Sequence, residues 1–345
     1  MRMTNEWFRK RKRSSGHARR GVSKRPGLAT EAGRDVCQTL RRPDEVPHQA
    51  FNSRQPLDSV ANSAQFATVS QIVLFKYQAL GNDYLVLDLP GALDEVIPLL
   101  PRICDRHFGV GSDGLLAFDP RAMSVRIFNP DSSEAQKSGN GLRIAAAHAV
   151  LVHGAGDQFD LRTADRANPV RVLARHGAEV TTELDIGRPS FRAADLPADF
   201  EGEPELVSID TPAGTVTAVL VSVGNPHCVV FGQPVTRERC LELGPHLERH
   251  PAFPERTNVQ LCEAVDRARV RAEIWERGAG YTLASGTSAS AVAAACMRRG
   301  LVGEGVTVQM PGGNLAVRRE ANGNLVQSGP ARRVFRATVE LADFA

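Results

Sequence analysis

Aromatic side chains are scarce in this sequence, at 6% of 345 residues. A core with so few of them has to rely on Val, Leu, Ile and Ala. No apolar run reaches the roughly 20 residues that a bilayer-spanning helix needs, and no membrane contact is expected. The small-apolar stretch at 289–295 reads instead as a packed helix. The six cysteines (37, 104, 228, 240, 262 and 296) include no CxxC pair, and their spacing suggests neither a zinc site nor a secreted disulfide frame. With no signal-peptide core either, the expected compartment is the reducing cytoplasm, with buried structural thiols. Metal-ligand spacing is absent, and His107, His148 and His153, which show no partner pattern, read as structural or surface residues.

Charge of one sign is also missing from most of the chain. The net charge is +3, yet residues 1–43 carry thirteen Lys/Arg against Glu6, Glu31 and Asp35. The remainder is therefore acidic by seven charges, and the basicity belongs to a tail. Residues 1–70 lack apolar periodicity and are rich in Arg, Ser, Gly and Pro, so ordering them would cost more entropy than burial returns. A disordered basic extension is expected there. The run Arg9–Arg13 could attract nucleic acid or anionic lipid, but with little beside it except Trp7 and Phe8 a nucleic-acid partner is not expected. A transit peptide is a second alternative; a plain solvated extension, or a start further along the chain near Val69 or Val73, is the preferred one.

What is present begins at Ile72. A strand there leads into the turn Gly81-Asn82-Asp83 and a second strand at 84–87. Ser124–Phe128 alternates as a strand, a polar loop runs to Ser138-Gly139-Asn140-Gly141, and 142–152 has helical spacing. The second half repeats the layout. The strand 216–223 runs into Gly224-Asn225-Pro226-His227, the strand 270–275 is followed by a loop to Ser285-Gly286-Thr287, and a helix follows over 289–299, stopped by Gly300. Asn129 precedes Ser138 by nine residues, and Glu276 precedes Ser285 by nine. This spacing predicts a domain duplication, with boundaries at 71–190 and 191–345 and a last strand returning to the first domain.

Each Ser-Gly pair stands where a loop becomes a helix. The first N–H groups of a helix have no intrahelical partner, and the dipole adds about half a positive charge there. Two such ends facing one cleft can hold a carboxylate from both sides. The neighbouring α-proton then becomes more acidic, because the carbanion left behind is stabilised. One acid–base group on each face of that carbon makes a racemase, and the residue that starts each helix occupies those faces. Neither loop matches GxGxxG or a phosphate-binding GxxxxGK loop.

The segments "FKYQALGNDYLVLD" (75–88), "CDRHFGVGSDGLL" (104–116), "RIFNPDSSEAQKSGNGLRIAA" (126–146), "VGNPHCVVF" (223–231), "RTNVQ" (256–260), "IWERGAGYTLASGTSASAVAAA" (274–295) and "PGGNL" (311–315) resemble diaminopimelate epimerase, in order, over about 270 residues. The resemblance implies an α+β fold of two pseudo-symmetric domains, each a curved sheet wrapped around a central helix. It implies a cofactor-independent isomerase of lysine biosynthesis acting on a small amino-acid substrate, with a homodimer as an open possibility. Carried over by position, Asn82, Asn129, Asn225, Asn258 and Arg277 would grip the distal groups of a diamino diacid. Glu276 would contact the reacting amino group. Gly139-Asn140 and Gly286-Thr287 would cradle the reacting carboxylate, and His227 would follow the Asn-Pro turn.

The departures from the family are as informative. Its two catalytic cysteines fall at Ser138 and Ser285, and an acidic position of the second loop is Tyr281. Serine is a far weaker acid than cysteine and needs an adjacent base; Lys137, Tyr281 and His227 are the nearby candidates. Four readings follow: an epimerase working with serines, a related cofactor-free isomerase or lyase, a ligand-binding homologue without chemistry, and a Cys-to-Ser variant of an ordinary epimerase. Both serines are also good helix N-caps, a role that needs no catalysis.

Overall fold

The two long helices of the protein are almost wholly enclosed, and that sets the architecture. In the computed structural model, which describes residues 71–135, 138–164 and 166–345, α3 (Gly139–His153) is buried from Gly139 to Val150 and α5 (Gly286–Arg298) from Gly286 to Met297. A helix with no wet face must be small and apolar all round. The alanines at 145–147, 149, 289, 291 and 293–295 let strands approach from every side. The few larger residues, such as Leu142 and Ile144, are fully buried and contribute about 1.5–3 kcal/mol each. The expectations for the 1–70 extension and for Lys137 lie outside the described residues.

Around α3 run β1 (Gln71–Ala79), β2 (Asn82–Asp88), β3 (Leu115–Asp119), β4 (Ser124–Phe128), β6 (Gln158–Arg162), β7 (Ala167–His176) and β8 (Glu179–Gly187), with β5 (Glu134–Ala135) as a short spur on β4. The pairings pass from β1 to β2, β3, β4, β6, β7 and β8. The long last strand, β17 (Leu325–Glu340), joins β8 to β1 and closes the ring around the helix. Two short helices, α1 (Leu93–Val96) and α2 (Leu100–Ile103), fill the β2–β3 connection and pack a second small core against Leu74, Leu85 and Leu115.

The second half has the same plan around α5. Here β9 (Val207–Thr211) flanks β10 (Gly214–Ser222), followed by β11 (Pro226–Phe231), β12 (Asn258–Asp266), β13 (Arg269–Glu276), β15 (Gly305–Met310), β16 (Gly313–Arg319) and the start of β17, with β14 (Gly280–Thr282) as the spur on β13. The duplication is visible in strand sense. β2–β3 and β11–β12 are parallel, and so are β4–β6 and β13–β15, while the pairs between them are antiparallel. A third longer helix among the described residues, α4 (Arg237–Glu248), covers β12 and β13 from outside and makes a third core with Val230, Leu261 and Trp275. Its glycine at 244 lies flat on the Trp275 ring, where a Cβ would come within 2.6 Å.

The repeated elements read from sequence stand close to their expected places. The helices begin three residues earlier than their apolar periodicity indicates, because the Gly and Ser residues of the first turn carry no hydrophobic signal.

Candidate active site

The two helix starts are built alike. Ser138 caps α3 from an extended backbone (φ −141°, ψ 116°) and accepts a hydrogen bond from Gly141 N at 3.0 Å. Ser285 caps α5 from the same conformation (φ −143°, ψ 130°) and accepts from Ser288 N at 3.3 Å. Each cap satisfies the third N–H of its helix. The first two, on Gly139 and Asn140 and on Gly286 and Thr287, stay outside the intrahelical ladder.

These two ends meet. A Cβ built on Gly139 would lie 3.4 Å from the Cα of Gly286 and 3.0 Å from Gln327 Nε2. One built on Gly286 would come within 2.9 Å of Gln327 Oε1 and 3.2 Å of Arg143 Nη1. A Cβ at either position would have to displace the buried ends of Gln327 or Arg143, so glycine lets these side chains pack against the two helix starts. Ser285 is 3% exposed, and Asn140 and Thr287 are nearly as covered. An open groove of about 510 Å³ lies elsewhere, on the outer strands β6–β8 near Arg171 and Glu183, and contains none of these residues.

Arg143 and Gln327 sit directly behind the junction, both with no exposed surface. Arg143 donates from Nη2 to Asn140 Oδ1 at 2.5 Å, but its Nε and Nη1 and both amide atoms of Gln327 have no hydrogen-bond partner among the described residues. Burial alone pushes the Arg143 guanidinium down to about 10, so it remains a cation at neutral pH. A fixed positive charge thus reinforces the field of the two helix ends.

Around the junction the side chains form a chain. Asn140 Nδ2 donates to Asn82 Oδ1 at 3.1 Å and to the Ala284 carbonyl at 3.2 Å. Asn82 Nδ2 donates to Asp113 Oδ2 at 2.7 Å. Asp113 and Asp83 share Arg106, each at 2.6 Å, and Asp83 also pairs with the buried Lys76. The turn that begins β2 is held in this way to the start of α3.

Each serine has an ionisable neighbour. At the end of β13 the half-buried Glu276 lies near Ser285, whose Oγ also stands 3.4 Å from Thr287 Oγ1; desolvation raises the Glu276 carboxyl above the usual range, with Ser285 opposing and Asp113 adding repulsion. The Tyr84 phenol on β2 lies near Ser138; burial pushes it up to about 12, with Ser138 opposing. The tip that carries Glu276 is pinned from several sides. Arg277 N donates to Asn258 Oδ1 at 2.9 Å, Gly278 N to the buried Glu248 at 3.0 Å, and Trp275 Nε1 to the same carboxylate at 2.7 Å.

The remaining residues singled out from sequence fall in three places. Asn258 Nδ2 donates to the Pro226 carbonyl at 2.8 Å, which ties β12 to the Asn-Pro turn. His227 is fully buried between Asn225 Oδ1 (2.9 Å) and Gln260 Nε2 (3.0 Å), and the Gln260 amide continues to Ser288 of α5 at 3.0 Å. Asn129 bonds within its own loop, to Ser133 Oγ at 2.9 Å, and the exposed Arg277 side chain donates to the Glu255 carbonyl. Tyr281 is turned toward α4: its hydroxyl donates to Glu273 Oε2 at 2.7 Å, and the Arg237 guanidinium covers its ring. The structure does not bring the Tyr281 phenol to either serine.

Four residues of the site went unnoticed in sequence. Tyr84, Asp113 and Arg143 lie within the motifs quoted above and could have been found there. Gln327 sits in a strand with no motif of its own, and only the packing identifies it.

Two helix N-termini thus meet between two like halves of one α+β fold. The family model described as diaminopimelate epimerase matches residues 74–189 and 219–334. Among curated relatives, diaminopimelate epimerase 2 of Nostoc sp. is 42% identical over 256 residues, covering 70% of this chain and 87% of its own length. The diaminopimelate epimerase of Cyanothece sp. is 36% identical over 281 residues, covering 76% and 98%. Similar solved structures include a predicted epimerase from Pseudomonas aeruginosa (TM-score 0.56, 20% identity, 78% of this chain and 99% of that one). A hydroxyproline epimerase from Agrobacterium vitis with bound trans-4-hydroxy-L-proline is also similar (TM-score 0.54, 18% identity, 79% and 93%). The chain belongs to the diaminopimelate epimerase family, and it is an isomerase.

Proposed function

We propose that the protein is a cofactor-independent epimerase of diaminopimelate or a similar diamino diacid, using Ser138 and Ser285 with Tyr84 and Glu276 behind them. The observation that carries this is the approach of the helix starts at Gly139 and Gly286, each led by a serine in the same conformation. The reacting carboxylate lies against the free N–H groups of 139, 140, 286 and 287, with the Arg143 charge behind them. On one face the ionised Glu276 takes the Ser285 hydroxyl proton as Oγ removes the α-proton. On the other, Ser138 gives its proton to the planar carbanion and is resupplied by Tyr84. Reversal exchanges donor and acceptor. Asn82, Asn225, Asn258 and Arg277 surround the rest of the substrate.

The support for a serine-based mechanism is that each hydroxyl already has a partner. Ser285 Oγ accepts from Ser288 N and stands 3.4 Å from Thr287 Oγ1, with the Glu276 carboxyl near enough to influence it. A carboxyl held above the usual range is a better base than an ordinary glutamate. Deuterium incorporation at the α-carbon of LL- or meso-diaminopimelate in heavy water tests the proposal directly. Exchange with interconversion of the stereoisomers is the expected result; saturable binding with no exchange would defeat it.

The two partners are unequal, and that favours a second reading. A carboxylate on one side and a phenol at about 12 on the other suit a single base facing a proton donor. This is the arrangement for removing an α-proton and expelling a β-substituent, and release of water or ammonia from a β-substituted amino acid would identify it.

A further inference from the structure

The far end of α3 holds a second group of side chains that the proposed chemistry does not use. His148 and His153 both direct Nε2 at Asp88 Oδ1 on β2, at 2.8 and 3.0 Å, and the three ligand atoms lie within 4.8 Å of one another. The other nitrogen of His148, Nδ1, is fixed at 3.0 Å by the Tyr77 hydroxyl. His148 is fully buried against Phe75 and Phe118, whereas the His153 and Asp88 side chains remain 25% and 31% exposed.

We propose that Asp88, His148 and His153 form a binding site for a borderline divalent transition-metal ion of the zinc type. Two imidazoles and one carboxylate are a donor set that such ions accept, and harder cations such as Mg²⁺ prefer all-oxygen sites. A zinc ion at about 2.0–2.1 Å from each ligand separates tetrahedral donors by about 3.3 Å. The two Asp–His contacts therefore open by a few tenths of an ångström and the His–His distance closes. His153 stands at the helix terminus and is the residue free to shift.

Proton balance needs no external acceptor. In a ring that donates from Nε2 to Asp88, binding moves that proton to Nδ1 and leaves Nε2 as the metal ligand. For His148, Nδ1–H then donates to the Tyr77 oxygen, the kind of outer partner that orients a ligating imidazole. The exposed side of Asp88 and His153 gives an entry path and room for water at the fourth position. The charge of Arg333 is felt at Tyr77 and His148, and it opposes binding. The nitrogen donors must supply the affinity, which again selects zinc, cobalt or nickel. A 15-residue helix is about 22 Å long, so the ion would clamp α3 to β2 at the end remote from Ser138 and take no part in proton transfer.

The test is titration of the chelator-treated, dialysed full chain with Co²⁺, followed by Zn²⁺ displacement. The expected result is one saturable equivalent with visible d–d bands and no thiolate charge-transfer band. Zn²⁺ should displace it and raise the melting temperature, and Mg²⁺ should do neither. Both His153→Gln and Asp88→Asn should weaken the apparent affinity at least about 10-fold. The proposal is overturned by no saturable uptake, by a thiolate band in the parent, or by an equivalent that survives in either variant.

Discussion

Glu276 and Arg143 are the two side chains whose environments ask the most of them. Glu276 has a folded pKa above its unfolded one, so the folded protein keeps a proton that the unfolded chain releases. Its contribution to stability is complete below the ordinary carboxylate range and is lost as pH rises through the higher folded value. Melting curves of the parent and of Glu276→Gln should therefore diverge in favour of the variant as pH rises across that window. Over the same window α-proton exchange by the parent should increase, because the ionised form is the base. In the variant exchange should fall by about 10²–10⁴-fold and lose that limb of its pH profile. A flat parent profile would remove Glu276 from the mechanism.

Arg143 poses the opposite question. A buried cation with no carboxylate partner is costly, and replacing such a charge by an apolar group of similar size is often neutral or stabilising. Arg143→Met is expected to keep or raise the melting temperature while weakening binding of the substrate carboxylate about 10-fold, as calorimetry would show. A variant that lost stability and kept its affinity would make Arg143 a purely structural residue. Restoring thiols, as Ser138→Cys with Ser285→Cys, should speed exchange by about 10²–10⁴-fold, since a thiolate forms readily at a helix N-terminus.

At the scale of the element, the helix starts unite stability and chemistry. Ser285→Ala removes the cap on Ser288 N and should cost about 1 kcal/mol, apart from any effect on exchange. Gly286→Ala drives a methyl into Gln327 and should cost about 1–3 kcal/mol. Gln327→Ala in the same chain should return part of that, and additive losses in denaturant titrations would show that the two do not touch. These elements also mark how far the sequence could be read. Strand periodicity, the paired Gly-Asn turns and the matched nine-residue spacing before each serine revealed the duplication, because local patterning and turn chemistry carry that information. The surroundings of the serines were legible only in part: Glu276 stood out by its spacing, whereas Tyr84 comes near Ser138 only in the folded ring of mixed strands, and Gln327 arrives from a strand with no motif. Tyr281 misled for a related reason. It sits in the second loop beside Ser285, but β14 pairs Tyr281 with Trp275 and turns the ring toward α4. The three side chains at the far end of α3 were equally silent, since Asp88 precedes His148 by 60 residues.

For the whole molecule, the decisive element is β17. Its first residues pair with β16 over 316–319, and its later ones with β1 from 332 onward, while β8 runs beside it from 325 to 332. Removing residues 333–345 would leave β1 with an open edge and the first ring unclosed. Such a chain should fail to fold or melt far below the parent. For the same reason calorimetry of the full chain should show the two halves melting in one transition. Among the described residues no helix is long and apolar enough to cross a membrane, and the described residues hold together as one unit.

Ser285 is buried and Ser138 partly so, and the chain passes between the two halves just twice, once through 188–206 and once along β17. Between its two sets of partners, Gly329-Pro330-Ala331 is held by β8 alone. Any relative motion of the two halves therefore flexes one shared ribbon at its least tethered point, and turnover should be sensitive to stiffness at residues that never meet the substrate.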